Sequence, residues 1–368
     1  MFLKYLGINR IDRYIIGKFL STYFFLILIV ITIAIIFDYN EKIDKFTQSG
    51  VSFKNIILDF YLNFIPYFVN LFSPLFVFIS VIFFTSKLAG NSEIIAMKAA
   101  GVSYKRLLRP YMYSAILIGA MTFYLGAYII PEGNVARVNF ENTYLKKKKS
   151  TIAENVQLQV APGVVAYITQ FDNQTKRGFG FSLDKFENKQ LKSRLTANII
   201  SYDTLAEKRY SWKIQQYSIR EFKGMKEVIK NGAKLDTTIN MEPSDFFYIN
   251  NQQETMTLPQ LDEFIQKQAQ RGASGVSAFE VEYHKRFASP FAAIILTLIG
   301  VSLSCQKRKN GMGTAIGIGL ALSFTYILLQ SVAATFATNA GWPAMLAVWL
   351  PNIIFVVIAL VLYKRTPQ

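Results

Sequence analysis

Six stretches of this chain are almost uninterruptedly apolar, and they fall three and three on either side of a long polar segment. The first runs from about Phe19 to Phe37, FLSTYFFLILIVITIAIIF, without a charge. The second is roughly Phe64 to Phe84 and the third Tyr111 to Ile130. The others run from about Phe287 to Leu303, Met312 to Phe336 and Trp342 to Leu362. A hydrocarbon layer of roughly 30 Å needs about 20 mostly apolar residues per helix, so each block predicts a membrane span. Pro66, Pro74, Pro290 and Pro351 fall in or at the ends of these blocks, where neighbouring helices can satisfy the freed carbonyls. The first block ends in DYNEK rather than a small-x-small cleavage site, so it reads as a retained span and not a signal peptide.

From 131 to 277 the pattern changes to alternation. Val156, Leu158 and Val160 share one face, and Ala161–Gly163 supplies a turn. Leu195, Ala197 and Ile199 form a second such set, and Tyr210, Trp212 and Ile214 a third. Period-two runs parted by polar turns predict an antiparallel sheet, sandwich or jelly roll. The segment closes with a helix opened by Thr257-Leu-Pro-Gln260, with Leu261, Phe264 and Ile265 on its apolar face. Gly272 stops it, and Gly272 to Gly275 read as a linker. The expected fold is therefore a 3+3 α-helical membrane protein with an external antiparallel β domain inserted between helices 3 and 4. Its expected parts are 1–130, 131–277 and 278–368.

Charge gives this arrangement a direction. A net charge of +16 would suit nucleic acid, but its placement argues for topology and against a nucleic-acid partner. Lys4, Arg10, Arg13 and Lys18 precede the first span; Lys87, Lys98, Lys105, Arg106 and Arg109 join the second to the third. Lys307, Arg308 and Lys309 follow the fourth, and Lys364 and Arg365 end the sixth, against only Asp12 and Glu93. The positive-inside rule places these segments and both termini in the cytoplasm. The lysine run Lys146 to Lys149 reads either as a solvated edge guard or as a contact for anionic lipid.

Familiar chemistries are missing from the sequence. It contains no G-x-x-x-x-G-K-[ST] phosphate loop. His284 and Cys305 each stand alone as residue types, which excludes an intrachain disulfide and a Cys/His zinc cluster. Gly313, Gly317 and Gly319 follow no strand and read as helix packing. In EVEYHKRFASP the pairs Glu280/His284 and Glu282/Arg286 have helical i,i+4 spacing. That stretch is either an interfacial anchor with local ion pairs or a guide for lipid phosphates through His284, Lys285 and Arg286.

Between the second and third spans lies LAGNSEIIAMKAAGVSYKRLLRP, longer than a connection requires. Asn91 reads as an N-cap, Ser92 and Glu93 suit the first turn, and Gly101 suits the stop. A helix over about 91–101 follows, with Ile94, Met97 and Gly101 on one face and Ile95 and Ala99 beside them. It is either a connector lying on the bilayer or a docking helix for a cytoplasmic partner.

IDRYIIGKFLSTYFF, FIPYFVNLFSPL and NSEIIAMKAAGVS resemble the LptF/LptG permeases of the lipopolysaccharide export ABC transporter, over essentially the whole chain. IDRY leans toward the G-type subunit. The resemblance implies a pair of permease subunits on a dimeric cytoplasmic ATPase in the bacterial inner membrane, with ATP and Mg held by the ATPase and no cofactor in this chain. It implies that Ser92, Glu93, Ile94, Met97 and Gly101 form the ATPase-coupling helix. It also implies that the β domain is a periplasmic jellyroll passing lipopolysaccharide to a bridge. Members of the family carry a basic residue near the outer end of span one; here that place reads Asp38, with Lys42 and Lys45 beyond. Lys42 and Lys45 therefore join His284, Lys285 and Arg286 as candidate lipid contacts. A membrane-anchored envelope scaffold without transport is the alternative. A lipoprotein-release permease fits less well, since such proteins typically have four spans.

Overall fold

The first three spanning helices run well beyond their apolar blocks. The computed structural model describes residues 9–145, 152–203, 210–224, 226–246, 252–271, 276–305 and 311–366. Lys4, the Lys146–Lys149 run, the Gly272–Gly275 linker and Lys307, Arg308 and Lys309 lie outside them. Helix α1 spans Arg10–Ser49. It begins where the Asn9 N–H donates to Asp12 Oδ2 at 2.8 Å and ends at Gly50, which has a φ of 62°. At about 1.5 Å per residue it is roughly twice as long as a hydrocarbon layer is thick. Hydropathy marks only the lipid-compatible part of such a helix, and nothing in DYNEKIDKFTQS breaks it.

The second span, α2, runs Phe53–Gly90 and includes a π-helical stretch at Ile56–Tyr61. A short helix α3, Glu93–Ala99, follows. The third span, α4, runs Tyr104–Leu145. The expected domain boundary at 130/131 falls inside this helix. Pro131 should end it, because an interior proline removes a backbone bond and crowds the preceding turn. A π turn at Leu125–Ile129 directly before it absorbs the misfit, and Pro131 enters as the first turn of the next helical stretch. Beyond the sheet come α5 (Leu258–Arg271), α6 (Ser277–Ser304), α7 (Gly311–Asn339) and α8 (Ala344–Arg365). Among the described residues, six helices are long and apolar enough to cross a membrane.

The chain divides into two compact units. One is Met1–Lys146 with Gln253–Leu258 and Ser277–Gln368; the other is Lys147–Gln252 with Pro259–Val276. In the helical unit α2 and α6 are the most buried spans, while α1 and α7 are the most exposed. Small residues set the approach of the central helices. A Cβ added to Gly119 on α4 would stand 3.0 Å from the Pro290 carbonyl on α6, and one on Gly300 would stand 2.8 Å from Val81 on α2. Gly319 packs against Ile82 in the same way, whereas Gly313 and Gly317 have open space beside them. Asn352 ties three spans, accepting from Tyr326 Oη at 2.9 Å and donating to the Ala288 carbonyl at 2.9 Å.

The second unit holds a six-stranded antiparallel sheet in the order β1-β2-β3-β4-β5-β6. The strands are Ile152–Ala161, Val164–Asp172, Arg177–Glu187, Gln190–Tyr202, Ser211–Lys223 and Lys226–Thr238. One face buries Ile168, Phe171, Ile200, Trp212 and Ile214 together with Phe246, and the Trp212 indole donates to the Met241 carbonyl at 3.0 Å.

Alternation does not run unbroken along these strands. The pairing skips Asn155 on β1, Thr169 on β2, Gly180 on β3, Asn198 on β4 and Gln216 on β5. Three of these, Asn155, Gly180 and Gln216, have positive φ. Together they draw a crease across the sheet, and the buried face changes phase there. On β4 Leu195 and Ala197 are buried and then Ile200, whereas Ile199, expected inside, is half-buried. Asn198 is not itself left-handed but lies between left-handed Gly180 on β3 and Gln216 on β5, so the crease is carried across β4 by its neighbours.

Candidate functional sites

The α3 segment is bounded by two residues in left-handed conformation, Ser92 with φ 62° and Gly101 with φ 83°. Ser92, and not Asn91, is the N-cap residue, and its side chain makes no capping bond. The helix is seven residues long rather than the expected ten or so. Its exit is fixed by the Gly101 N–H to the Lys98 carbonyl at 2.9 Å and the Val102 N–H to the Met97 carbonyl at 3.1 Å. The Ser103 hydroxyl then caps α4, accepting from the Arg106 N–H at 3.4 Å.

Burial divides the apolar residues of this helix. Ile94 is 1 % exposed and belongs to a cluster with Ile15, Phe19, Leu88, Ala89, Tyr104 and Leu107; Met97 packs on the same cluster. Ile95 is 51 % exposed, and Ala96, Ala99 and Ala100 are exposed with it. Ile94 and Met97 therefore seat the helix, and the surface free to meet another molecule is Ile95 with the three alanines. Glu93 accepts from the Tyr14 hydroxyl at 3.1 Å and from Asn91 Nδ2 at 3.3 Å. Alongside, Arg106 grips Asp12 through both nitrogens at 2.6 Å. Asp12 is 2 % exposed although it carries a charge.

A second polar site lies among the spans. Tyr67 and Asn70 on α2, Thr122 and Asn134 on α4, Glu254, and Glu282, Lys285 and Arg286 on α6 line a small cavity of about 60 Å³. Arg137 meets Glu254 at 3.5 Å and Glu141 at 3.6 Å, donates to Asn134 Oδ1 at 3.2 Å, and lies over the Tyr67 ring at 4.5 Å. Arg286 meets Glu282 at 3.2 Å and donates to the carbonyls of Met256 at 2.7 Å and Gln253 at 3.2 Å. Lys285 stands 3.8 Å from Glu282. Three cations thus face three carboxylates, and the returning segment Gln253–Leu258 is held by side chains from α4 and α6. Burial raises the Glu254 carboxyl above the ordinary range and the Glu282 charge adds to this, against Lys285 and Arg137. Glu254 Oε2 accepts no hydrogen bond of good geometry, and Asn70 Oδ1 is buried without one.

The expected basic residues do not gather in one place. Lys285 and Arg286 line the cavity, and the i,i+4 pair Glu282/Arg286 forms as its spacing requires. His284 is half-buried against Tyr283, and among the described residues it forms no ion pair with Glu280. Lys42 pairs with Asp38 at 2.5 Å and covers the Phe60 ring at 4.5 Å, while Tyr61 donates to the same Asp38 at 3.1 Å. Its charge is therefore largely spent within the protein. Lys45 is exposed. Sequence reading missed Asp12–Arg106, Arg137 and Glu254. Asn134, Arg137 and Glu141 have helical spacing that would have shown a polar stripe had the third span been extended. Glu254 lies on no periodic element, and Asp12 and Arg106 are too far apart in sequence for any local signal.

The sequence pattern of the lipopolysaccharide export system permease LptF/LptG family matches residues 13–365. Two relatives have the name lipopolysaccharide export system permease protein LptG. That of Escherichia coli K12 is 20% identical over 359 residues, covering 96% of this chain and 98% of that protein. That of Haemophilus influenzae is 20% identical over 370 residues, covering 97% and 99%. With six span-length helices and a sheet inserted between the third and fourth, the chain belongs to the LptF/LptG permease family.

Proposed function

We propose that this chain is a permease subunit of an ABC transporter that extracts lipopolysaccharide from the bacterial inner membrane, closer in type to LptG. A cytoplasmic ATPase dimer binds the ATP and Mg and supplies the energy. A second LptF/LptG-type subunit completes the membrane part, and a periplasmic bridge receives the lipid from the sheet domain. Both chain ends and α3 face the cytoplasm, as the positive-inside rule requires. The observation that carries the reading is the family match along nearly the whole chain, joined to a short helix between two spans that seats Ile94 inward and leaves Ile95 outward.

In this reading Glu93 and the Ile95, Ala96, Ala99 surface meet the ATPase, and Ser92 and Gly101 are the points where the helix can turn. Lys285, with a side chain 38% exposed beside its partner Glu282, is the cation of the cavity best placed to reach an anionic headgroup. Lys45, exposed near the end of α1, is its counterpart there.

Co-purification with the ATPase tests the reading. Ile95→Asp places a charge on the exposed face without touching the core and should abolish ATPase capture while helical circular dichroism stays at the wild-type level. Capture at wild-type yield by Ile95→Asp and Glu93→Lys alike would remove α3 from the contact.

A further inference from the structure

We propose that the Asp12–Arg106 ion pair is a mechanical clamp through which movement of α3 reaches the first span, with the Tyr14–Glu93 hydrogen bond beside it. The proposal rests on the coupling role given to α3 above.

Helix α1 is held to the bundle by a narrow, mostly apolar stripe, with single hydrogen bonds between Tyr23 and Ser73 and from Tyr61 to Asp38, each at 3.1 Å, further along. Its buried apolar residues are Ile15, Phe19, Tyr23 and Ile27, four residues apart, and then Phe46 far along the helix. Most of the side chains between face outward. Apolar contact of this kind is non-directional, so it resists separation better than it resists sliding or rotation. A guanidinium gripping both oxygens of one carboxylate fixes position and angle together. That fork lies at the α3 end of α1, with Asp12 further held by the Asn9 N–H at 2.8 Å.

The link from Arg106 back to α3 is short and closed. Only Ala100–Lys105 intervene, and the Gly101 and Val102 N–H bonds to Lys98 and Met97 tie this turn to the helix. The Ser103 cap then ties it to the start of α4. A push on Ile95 therefore tilts a rigid piece that carries Arg106, and Asp12 must follow. Tyr14 adds a second contact directly from α1 to Glu93 at 3.1 Å. Buried ion pairs are poor net stabilisers compared with apolar packing of the same volume. A fork joining two elements 94 residues apart is better accounted for by the geometry it enforces than by stability.

The test uses the whole complex, this chain with its partner permease and ATPase, in proteoliposomes containing lipopolysaccharide. Asp12→Asn should keep ATPase association and ATP turnover within about twofold of wild type while lipopolysaccharide released per ATP falls at least about fivefold, the lower end of typical coupling effects. The exchanged pair Asp12→Arg with Arg106→Asp should restore release per ATP to within about twofold. Because position 12 is tightly enclosed, a second arm joins Asp12→Cys to Arg106→Cys with a short cross-linker in a Cys305→Ala chain. The linked form should release more per ATP than the unlinked one. Release per ATP unaffected by Asp12→Asn overturns the clamp, as does an equal loss of assembly, turnover and release that neither exchange nor cross-link repairs. A wild-type complex that hydrolyses ATP without releasing lipopolysaccharide overturns the transport reading and the clamp with it. A releasing wild type with an indifferent Asp12→Asn overturns the clamp alone.

Discussion

Arg137 neutralises carboxylates that come from different parts of the chain, Glu141 one turn along its own helix and Glu254 from the segment returning after the sheet. Arg137→Met keeps an unbranched apolar stem and removes the guanidinium that lies over Tyr67, pairs with both carboxylates and donates to Asn134. It should cost about 2–3 kcal/mol, below the roughly 3–5 kcal/mol for stripping a partner from a fully buried pair, because Glu141 and Glu254 keep 22% and 20% of their side-chain surface exposed. Thermal unfolding in detergent measures this. Glu254→Gln should behave oppositely. The folded carboxyl titrates above its unfolded value, so its stabilising contribution is complete below the ordinary glutamate range and is lost as pH rises through the raised value. The helical melting temperature should decline across that interval in the wild type and stay level in Glu254→Gln. A parallel decline in both would show that another group sets the slope. In the sheet, Gly180 has φ 64° and faces Thr169 across the strand pair. Gly180→Ala should destabilise the sheet by about 1–2 kcal/mol from backbone strain alone, with the added Cβ crowding Thr169.

Elements were legible in proportion to the strength of their repeat. The apolar blocks located every span, because composition over a whole helix overrides local exceptions. Their ends did not follow, since Asn9, Gly50 and the π turn before Pro131 set the helix limits by capping and backbone geometry, on which hydropathy is silent. The strands were visible as alternation, and the crease was not, because a left-handed Gln216 looks like any polar residue between Gln215 and Tyr217. On α3 the spacing of Ile94 and Met97 gave a common face but not its direction, and Gly101, placed with them, is exposed beyond the end of the helix. Inward or outward is decided by Ile15, Leu88 and Leu107 on other helices. The charged cavity was half legible: Glu282 and Arg286 announce themselves at i,i+4, whereas Glu254 arrives from a loop. At this scale α3 itself yields a prediction. Ile94→Ala removes a side chain that seats the helix and should cost about 2–4 kcal/mol, as core truncations do. Ile95→Ala, on the exposed face, should stay within about 0.5 kcal/mol of wild type. Melting temperatures of the two variants, measured side by side, check the assignment of faces.

For the whole molecule, the division into two units has an energetic consequence. The sheet unit encloses its own core around Phe171, Trp212 and Phe246, and the helical unit builds others around Phe76, Val81, Tyr111 and Leu296. Domains with separate cores unfold as separate cooperative steps when the contacts between them are weaker than the contacts within. Trp212 sits in the sheet core, and its fluorescence reports that unit, with Trp342 and Trp349 replaced by Phe to leave a single indole. Far-ultraviolet dichroism is dominated by the helices. In a urea titration of the full chain in detergent, the tryptophan signal should move at lower urea than the helical signal, because the membrane-type helices bury their backbone bonds within each segment. Gly180→Ala should shift the first transition and leave the second in place. Arg137→Met, whose contacts lie wholly within the helical unit, should do the reverse. Coincident transitions that both variants shift together would mean that the chain unfolds as one cooperative body.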